Sequence, residues 1–308
     1  MQLRQCKQVI VGVANDVMNN NILSFAAALS YYFVLAFFPA LIALAAFVAY
    51  LPIPHLFDSI IAAMARVAPP ESMDLVRRAV ADVLSPSRGA LLSAGLVGTL
   101  WTCSSGFSAA IDALNVAYDV NETRPFWKTR LLALELTLLI GTLVTVAFAC
   151  LIVGSHIDEF LAAHFVVAHP LTLLWPGLRY LLIVTFIVIA VEALYLIAPN
   201  LKQSFVSSLP GAILVVIGWI FLSGGLSFYF RNFAHLNRTY GVLGGGIALL
   251  IWLYWVAFLV LLGAELNSEI LHQREEGALV FQEPSPSKVQ PASAANEVPS
   301  GERPAPLQ

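Results

Sequence analysis

The chain has 308 residues, 59% of them hydrophobic and 11% charged, with a formal net charge of −3 and a mean hydropathy of +0.80. A soluble domain carries about 25% charged residues, so composition excludes an ordinary water-soluble globule, and the small net charge gives no ground for nucleic acid or a strongly acidic partner. The three cysteines, Cys6, Cys103 and Cys150, form no disulfide framework and read as free thiols packed like small hydrophobes.

Residues 1–20 are a polar lead-in of helical character on the cytoplasmic side, with Asn19, Asn20 and Asn21 supplying a helix start and Ser24 a further cap. Arg4 and Lys7 resemble the basic end of a signal peptide. The apolar run behind them, residues 17–57, far exceeds the ~7–15 residues of such a segment and lacks a cleavage site, so it is expected to stay as a helix. This first span, about 22–51, holds Pro39, which removes one backbone donor, and ends at Pro52 and Pro54.

The one long connection, residues 55–87, carries Leu56, Phe57, Ile60, Ile61, Met64 and Val67 at helical spacing. After Pro69 and Pro70 it carries Leu75, Val76, Ala79, Val80, Val83 and Leu84. Each half is too short to span, so an amphipathic helical hairpin is expected, lying on the membrane surface or capping the bundle. The second span, 89–117, has small residues Gly95, Gly98, Thr99, Thr102, Gly106 and Ala110 at three- and four-residue spacing, which lets helices approach closely in lipid. A charged turn, 119–130, leads to a third span over 131–155, followed by a loop over 156–169 with two acids and three histidines. The fourth span, 171–198, is interrupted by Arg179 and Glu192, and crosses only if Arg179 lies at an interface and Glu192 faces the protein interior. The fifth begins near Phe205 with Pro210 and Gly211 early in it, and the sixth opens with Gly241, Gly244, Gly245 and Gly246. From Gly277 the chain is rich in Pro, Ser, Glu and Ala, the composition of a disordered tail.

The expected fold is therefore all-α: a polytopic membrane bundle of six transmembrane helices over 21–272, with the hairpin between the first two and a disordered tail over 277–308. Six spans put both termini on one side. Counting basic residues near the spans gives seven on that side against four on the other, which makes it the cytoplasm.

Ionisable groups within apolar spans are costly and are functional candidates by default. Asp112, Asn115, Glu135, Glu192, Glu265 and Asn267 all fall toward the cytoplasmic ends of their spans. One reading is a polar cavity open to the cytoplasm and suited to cations, protons or a polar head-group. The other is that these groups staple the bundle by pairing with the counter-charges Arg124, Lys128, Arg130 and Lys202. Glu192 lies deepest and ranks first, with Asp112 second. Trp101, Trp219, Trp252 and Trp255 read as packing or interface anchors. The histidines show no paired metal-ligand spacing, and no nucleophile elbow, phosphate loop or dinucleotide fingerprint occurs, so no cofactor or metal is expected.

Several segments in order carry a family likeness. They are Asn20-Asn21 followed by Ala26-Ala27-Ala28-Leu29-Ser30-Tyr31-Tyr32 and Phe38-Pro39; Gly106-Phe107, Asp112 to Tyr118, and Arg124-Pro125-Phe126-Trp127-Lys128; Pro199-Asn200 and Leu209-Pro210-Gly211-Ala212; Asn237 to Gly244; and Leu262 to Asn267. Over roughly residues 20–272 the chain resembles the YihY/BrkB family of bacterial inner-membrane proteins, once labelled ribonuclease BN. Leu236 and Val242 depart from the family's usual Tyr and Ser. The resemblance implies a six-helix inner-membrane protein with both termini in the cytoplasm, and no settled activity.

The expected function is a transporter or exporter-like permease, with Glu192 and Asp112 coupling or gating. The alternative is a non-transporting envelope protein that binds lipid or organises partners through the hairpin. An enzyme is not expected, because hydrolysing RNA needs a metal or acid–base constellation in water that the loops lack. Membrane lipids and an unidentified solute or lipid are the expected partners, nucleic acid is not, and the oligomeric state stays open.

Overall fold

A computed structural model describes residues 2–49, 61–62, 64–65, 70–83, 89–164, 170–232 and 242–282. Among these, eight helices follow in order and no strand occurs: α1 (Gln2–Asn19), α2 (Ile22–Ala49), α3 (Pro70–Val83), α4 (Gly89–Ala117), α5 (Phe126–His164), α6 (Pro170–Ile197), α7 (Phe205–Asn232) and α8 (Val242–Gln282). Met1–His272 form one compact unit and Gln273–Gln308 another.

Four helices are long and apolar enough to cross a membrane, over Phe126–Phe148, Gly177–Ile197, Phe205–Tyr229 and Gly244–Gln273. A bent pair, Gln8–Asn19 with Ile22–Phe37, meets the same measure as one broken span. Four of the six expected spans thus coincide with helices of membrane length and composition, and the bent pair joins part of the expected lead-in, residues 1–20, to the start of the expected first span. The second, α4, has the bounds read from the sequence, but part of it carries side chains outside the described residues.

Local chemistry explains the boundaries. The break after α1 falls on the asparagine run: Asn21 adopts φ 52°, a left-handed conformation that asparagine tolerates better than most residues. Its carbonyl accepts the N–H groups of Ser24 and Phe25 at 2.9 and 3.2 Å and so opens α2, which runs off at 64° to α1. At the end of α4, Asp119 takes φ 53° where glycine is usual. The Val120 N–H donates to the Asn115 carbonyl and the Asp119 N–H to Val116, satisfying two last-turn carbonyls in a Schellman arrangement. Pro125 precedes α5 and its carbonyl takes the N–H groups of Lys128 and Thr129. Helix α5 runs to His164, through half of the segment expected as a loop, because neither glycine nor proline interrupts residues 156–164. Helix α8 likewise continues to Gln282, past the start expected for the disordered tail. The tail from 283, most of the hairpin's first half and the loops 165–169 and 233–241 lie outside the described residues.

The second half of the hairpin is α3. It packs against α2, buries Met73 and Val76, and leaves Asp74, Arg77 and Arg78 exposed. The buried Ser72 hydroxyl donates to the Gly245 carbonyl at 3.3 Å, tying α3 to the start of α8. This half therefore sits on the bundle.

The core gathers Ile22, Ala26 and Leu29 of α2, Ile111 and Leu114 of α4, Leu136 of α5, Tyr195 of α6, Val215 of α7 and Leu261 of α8. Two contacts fix the helices around it. First, Gly211 of α7 and Gly263 of α8 meet backbone to backbone: a Cβ on Gly211 would collide with the Gly263 carbonyl, and one on Gly263 would stand 2.8 Å from the Gly211 carbonyl. Second, the α4–α5 turn is latched to the α6–α7 turn. The Arg124 guanidinium donates to Glu122 at 2.7 and 2.8 Å and to the Ala198 carbonyl at 2.8 Å. The Asn200 N–H donates to Asn115 Oδ1 at 2.7 Å, and the Asn200 amide donates to the Asn121 carbonyl and the Thr123 hydroxyl. Asn115 Nδ2 donates to Glu122 at 2.9 Å. The Arg124 side chain, helped by the Arg124 N–H and the Asn115 amide and opposed by partial burial, holds the Glu122 carboxyl at about 2, below its ordinary 4.5.

Two outcomes follow. Gly211→Ala lowers stability by about 1–3 kcal/mol through overpacking, whereas Gly225→Ala, whose Cβ would meet nothing within 4 Å, leaves the melting temperature at or above wild type. Because the Glu122 carboxyl is depressed in the fold, its stabilisation is whole above about pH 4.5 and is lost as pH falls toward about 2. Hydrogen exchange at the α4–α5 turn accelerates across that window in wild type, and Glu122→Gln removes the pH dependence.

Candidate functional site

At the latched end of the bundle the helices enclose two carboxylates. Glu192 of α6 is 1% exposed and Glu265 of α8 is 0% exposed. Glu192 Oε1 accepts from the Ser208 hydroxyl of α7, and Glu265 Oε1 accepts from the Asn20 amide at 3.0 Å. The second oxygen of each, Oε2, is buried with no hydrogen-bond partner. Leaving a buried acceptor unmade costs about 1–3 kcal/mol, and more when the group is charged.

Neutral polar groups tie Ser208, the partner of Glu192, to α8 and to Tyr118. Pro210 leaves a missing donor in the early turns of α7, and the buried Asn267 of α8 reaches into this stretch. Asn267 Oδ1 accepts the Gly211 N–H at 2.7 Å, and its Nδ2 donates to the Ser208 carbonyl at 2.8 Å and to the Tyr118 hydroxyl at 3.3 Å. The buried Tyr195 donates to the Val260 carbonyl at 2.6 Å, and Gln203 donates to the Tyr195 carbonyl at 2.7 Å. Neither buried acid has a basic partner among the described residues.

The candidates divide. Asn267 meets Tyr118 and the carbonyl of Ser208, the residue bonded to Glu192, while Glu265 is held by Asn20. Asn115 is buried in the latch with Arg124. Asp112 and Glu135 are exposed and share no hydrogen bond with the buried pair among the described residues. Lys128 stands 5.3 Å over the Trp127 ring. Arg130 lies 4.2 Å over the Trp101 ring and donates to the Trp101 carbonyl and the Ser105 hydroxyl. Arg179, buried on α6, lies 4.9 Å from the Tyr180 ring. Ser208, Tyr118 and Asn20 were not singled out as site residues. Tyr118 and Asn20 stood in the family-like segments and Asn20 in the helix start, but nothing in the sequence marks Ser208 among the many serines of apolar spans. No three His, Cys, Asp or Glu side chains among the described residues are grouped to hold a metal ion.

Comparison with known proteins agrees with this architecture. The sequence profile of the family described as virulence factor BrkB matches residues 13–286. The ribonuclease-like protein YfkH of Bacillus subtilis (strain 168) is 39% identical over 251 residues, covering 81% of this chain and 90% of that protein. The UPF0761 membrane protein PBPRA3489 of Photobacterium profundum is 36% identical over 95 residues, 31% of this chain and 30% of its own length. A UPF0761 membrane protein of Xanthomonas campestris pv. campestris (strain B100) is 37% identical over 84 residues, 27% of this chain and 19% of its own. No solved structure matches. A helical chain with several membrane-length apolar helices, matched to this profile over most of its length, belongs to the BrkB family of membrane proteins.

Proposed function

We propose that this protein is a permease of the bacterial inner membrane, with six spans, both termini in the cytoplasm and the buried carboxylates Glu192 and Glu265 near the cytoplasmic face. The bent first span and α4 supply the two crossings beyond the four apolar helices. The observation that carries the reading is the pair of buried carboxylates, each with one unpartnered oxygen and neither paired with a basic side chain among the described residues. Groups this costly inside a membrane mark ion or substrate paths. The start of α7, where Pro210 lies inside the helix and Asn267 takes up the Gly211 N–H and the Ser208 carbonyl, supports this reading, since irregular backbone beside polar groups is common at transport sites. Glu192 is the coupling group in this reading, with Ser208 orienting it.

The name of YfkH speaks of ribonuclease likeness. Cleaving RNA requires reacting groups that meet a highly charged polymer in water, and Glu192 and Glu265 are closed off among apolar helices. The permease reading therefore accounts for them better.

The test is purified protein in liposomes containing a pH-sensitive dye, under imposed proton, sodium and potassium gradients. Wild type passes current-carrying ions and Glu192→Gln, inserted in equal amount, loses at least tenfold of that flux. Absence of flux from correctly inserted wild type would overturn ion coupling and favour lipid or partner binding through the exposed Arg77 and Arg78 of α3.

A further inference from the structure

We propose that the outer face of the α4–α5 pair at Arg130 binds one anionic phospholipid, with its phosphate on the Arg130 guanidinium and an acyl chain along the adjoining helix faces. The site needs a bilayer but no transport, so it stands apart from the permease reading.

Lys128 and Arg130 are expected from the sequence to neutralise the acids of the spans, and the fold does not use them so. Arg124 pairs with Glu122, whereas Lys128 and Arg130 have no acidic partner among the described residues. Arg130 instead crosses from α5 to α4. Its Nη2 donates to the Trp101 carbonyl and the Ser105 hydroxyl, both at 3.1 Å, and its guanidinium lies 4.2 Å over the Trp101 ring. That carbonyl also accepts the Ser104 and Ser105 hydroxyls at 2.9 Å, so it is shared among three donors and offers Arg130 little. Nε and Nη1 of Arg130 have no partner among the described residues, and neither is closed off from the surface. The charge thus rests on a ring with most of its planar fork open, and that fork matches the oxygens of a phosphate.

Its position selects a lipid as the source of the phosphate. Arg130 lies near one end of the membrane-length stretch Phe126–Phe148, the level of the headgroups. Trp101 and Trp127, one turn before Arg130 on α5, are both largely exposed, as tryptophans are at that level. Lys128, 5.3 Å over the Trp127 ring, adds a second positive charge at the same end. Further into the span both helices are bare. Gly98 lies about two turns from Ser105 on its face of α4, and Gly141 about three turns from Arg130 on its face of α5. A Cβ on either would meet nothing within 4 Å, which leaves a smooth strip for an acyl chain that a free phosphate would not use. Basic groups between spans are a common seat of anionic headgroups. The exposed acids stand off: Glu135 lies about 140° round α5 from Arg130, and Asp112 about two turns from Ser105 toward the α4–α5 turn.

The test adds phosphatidylglycerol, phosphatidylethanolamine or phosphatidylcholine of the same acyl chains to the full chain in detergent and counts bound lipid by native mass spectrometry. Wild type holds one phosphatidylglycerol about tenfold more tightly than either other lipid. Arg130→Gln abolishes that preference, and Lys128→Gln weakens it about threefold. Lys202→Gln, at an exposed cation of the α6–α7 turn, leaves it unchanged. If Arg130→Gln does not fold for want of its link to α4, Gly141→Leu carries the test: it keeps every hydrogen bond of Arg130, fills the strip and lowers phosphatidylglycerol binding about tenfold. No preference in wild type, a preference for phosphatidylethanolamine, or a preference that survives Arg130→Gln or Gly141→Leu would overturn the site. Liposome flux is read separately, so loss of either reading leaves the other standing.

Discussion

Inside hydrocarbon there is no water to complete a hydrogen bond, so every backbone donor, carbonyl and charge must find its partner within the protein. Most of this fold follows from that constraint. Threonines of α5 and α6 return their hydroxyls to carbonyls one turn back, as the half-buried Thr137 and the exposed Thr142, Thr145 and Thr185 do. Where α7 opens irregularly at Pro210, the Asn267 amide of α8 takes up both a donor and an acceptor, so the side chain of one helix completes the backbone of another. The same accounting makes Glu192 Oε2 and Glu265 Oε2 conspicuous, because they are left open where openness is costly.

The two carboxylates differ in what holds them. Glu192 is oriented by Ser208 from the neighbouring helix α7, inside the apolar bundle. Glu265 is oriented by Asn20, a residue of the break in the first span, and so its surroundings change with the pose of α1. One buried acid is thus fixed from within the bundle and the other from the break in the first span.

Hydropathy made the membrane bundle legible, because a run of about 20 apolar residues has few other uses. The bounds of α4, the start of α2 and the start of α7 were readable from Gly89, the asparagine run and the polar residues before Phe205. The length of α5 was not, since the acids and histidines of 156–164 resemble a loop in hydropathy while offering no breaker of helix geometry. Among the candidate acids, depth along the span ranked Glu192 first and Asp112 second, yet Asp112 is exposed and Glu265 is buried, because position along a helix says how far in a residue lies and nothing about which way it faces. The role of Ser208 depends on a contact between α6 and α7, which no single helix encodes.

The latch between the two turns has a mechanical meaning. Parting the α4–α5 hairpin from the α6–α7 hairpin at that end requires Arg124 to release Ala198, and Asn200 to release Asn115, Asn121 and Thr123 together. Four helices clamped at one end form a single stiff frame. Helix α8 is bound into this frame too, by Asn267 on the Gly211 N–H and the Ser208 carbonyl and by the Tyr195 hydroxyl on the Val260 carbonyl, around the close approach of Gly211 and Gly263. Side chains thus complete the backbone where the two glycines bring it closest, so that end of the molecule resists both sliding and separation.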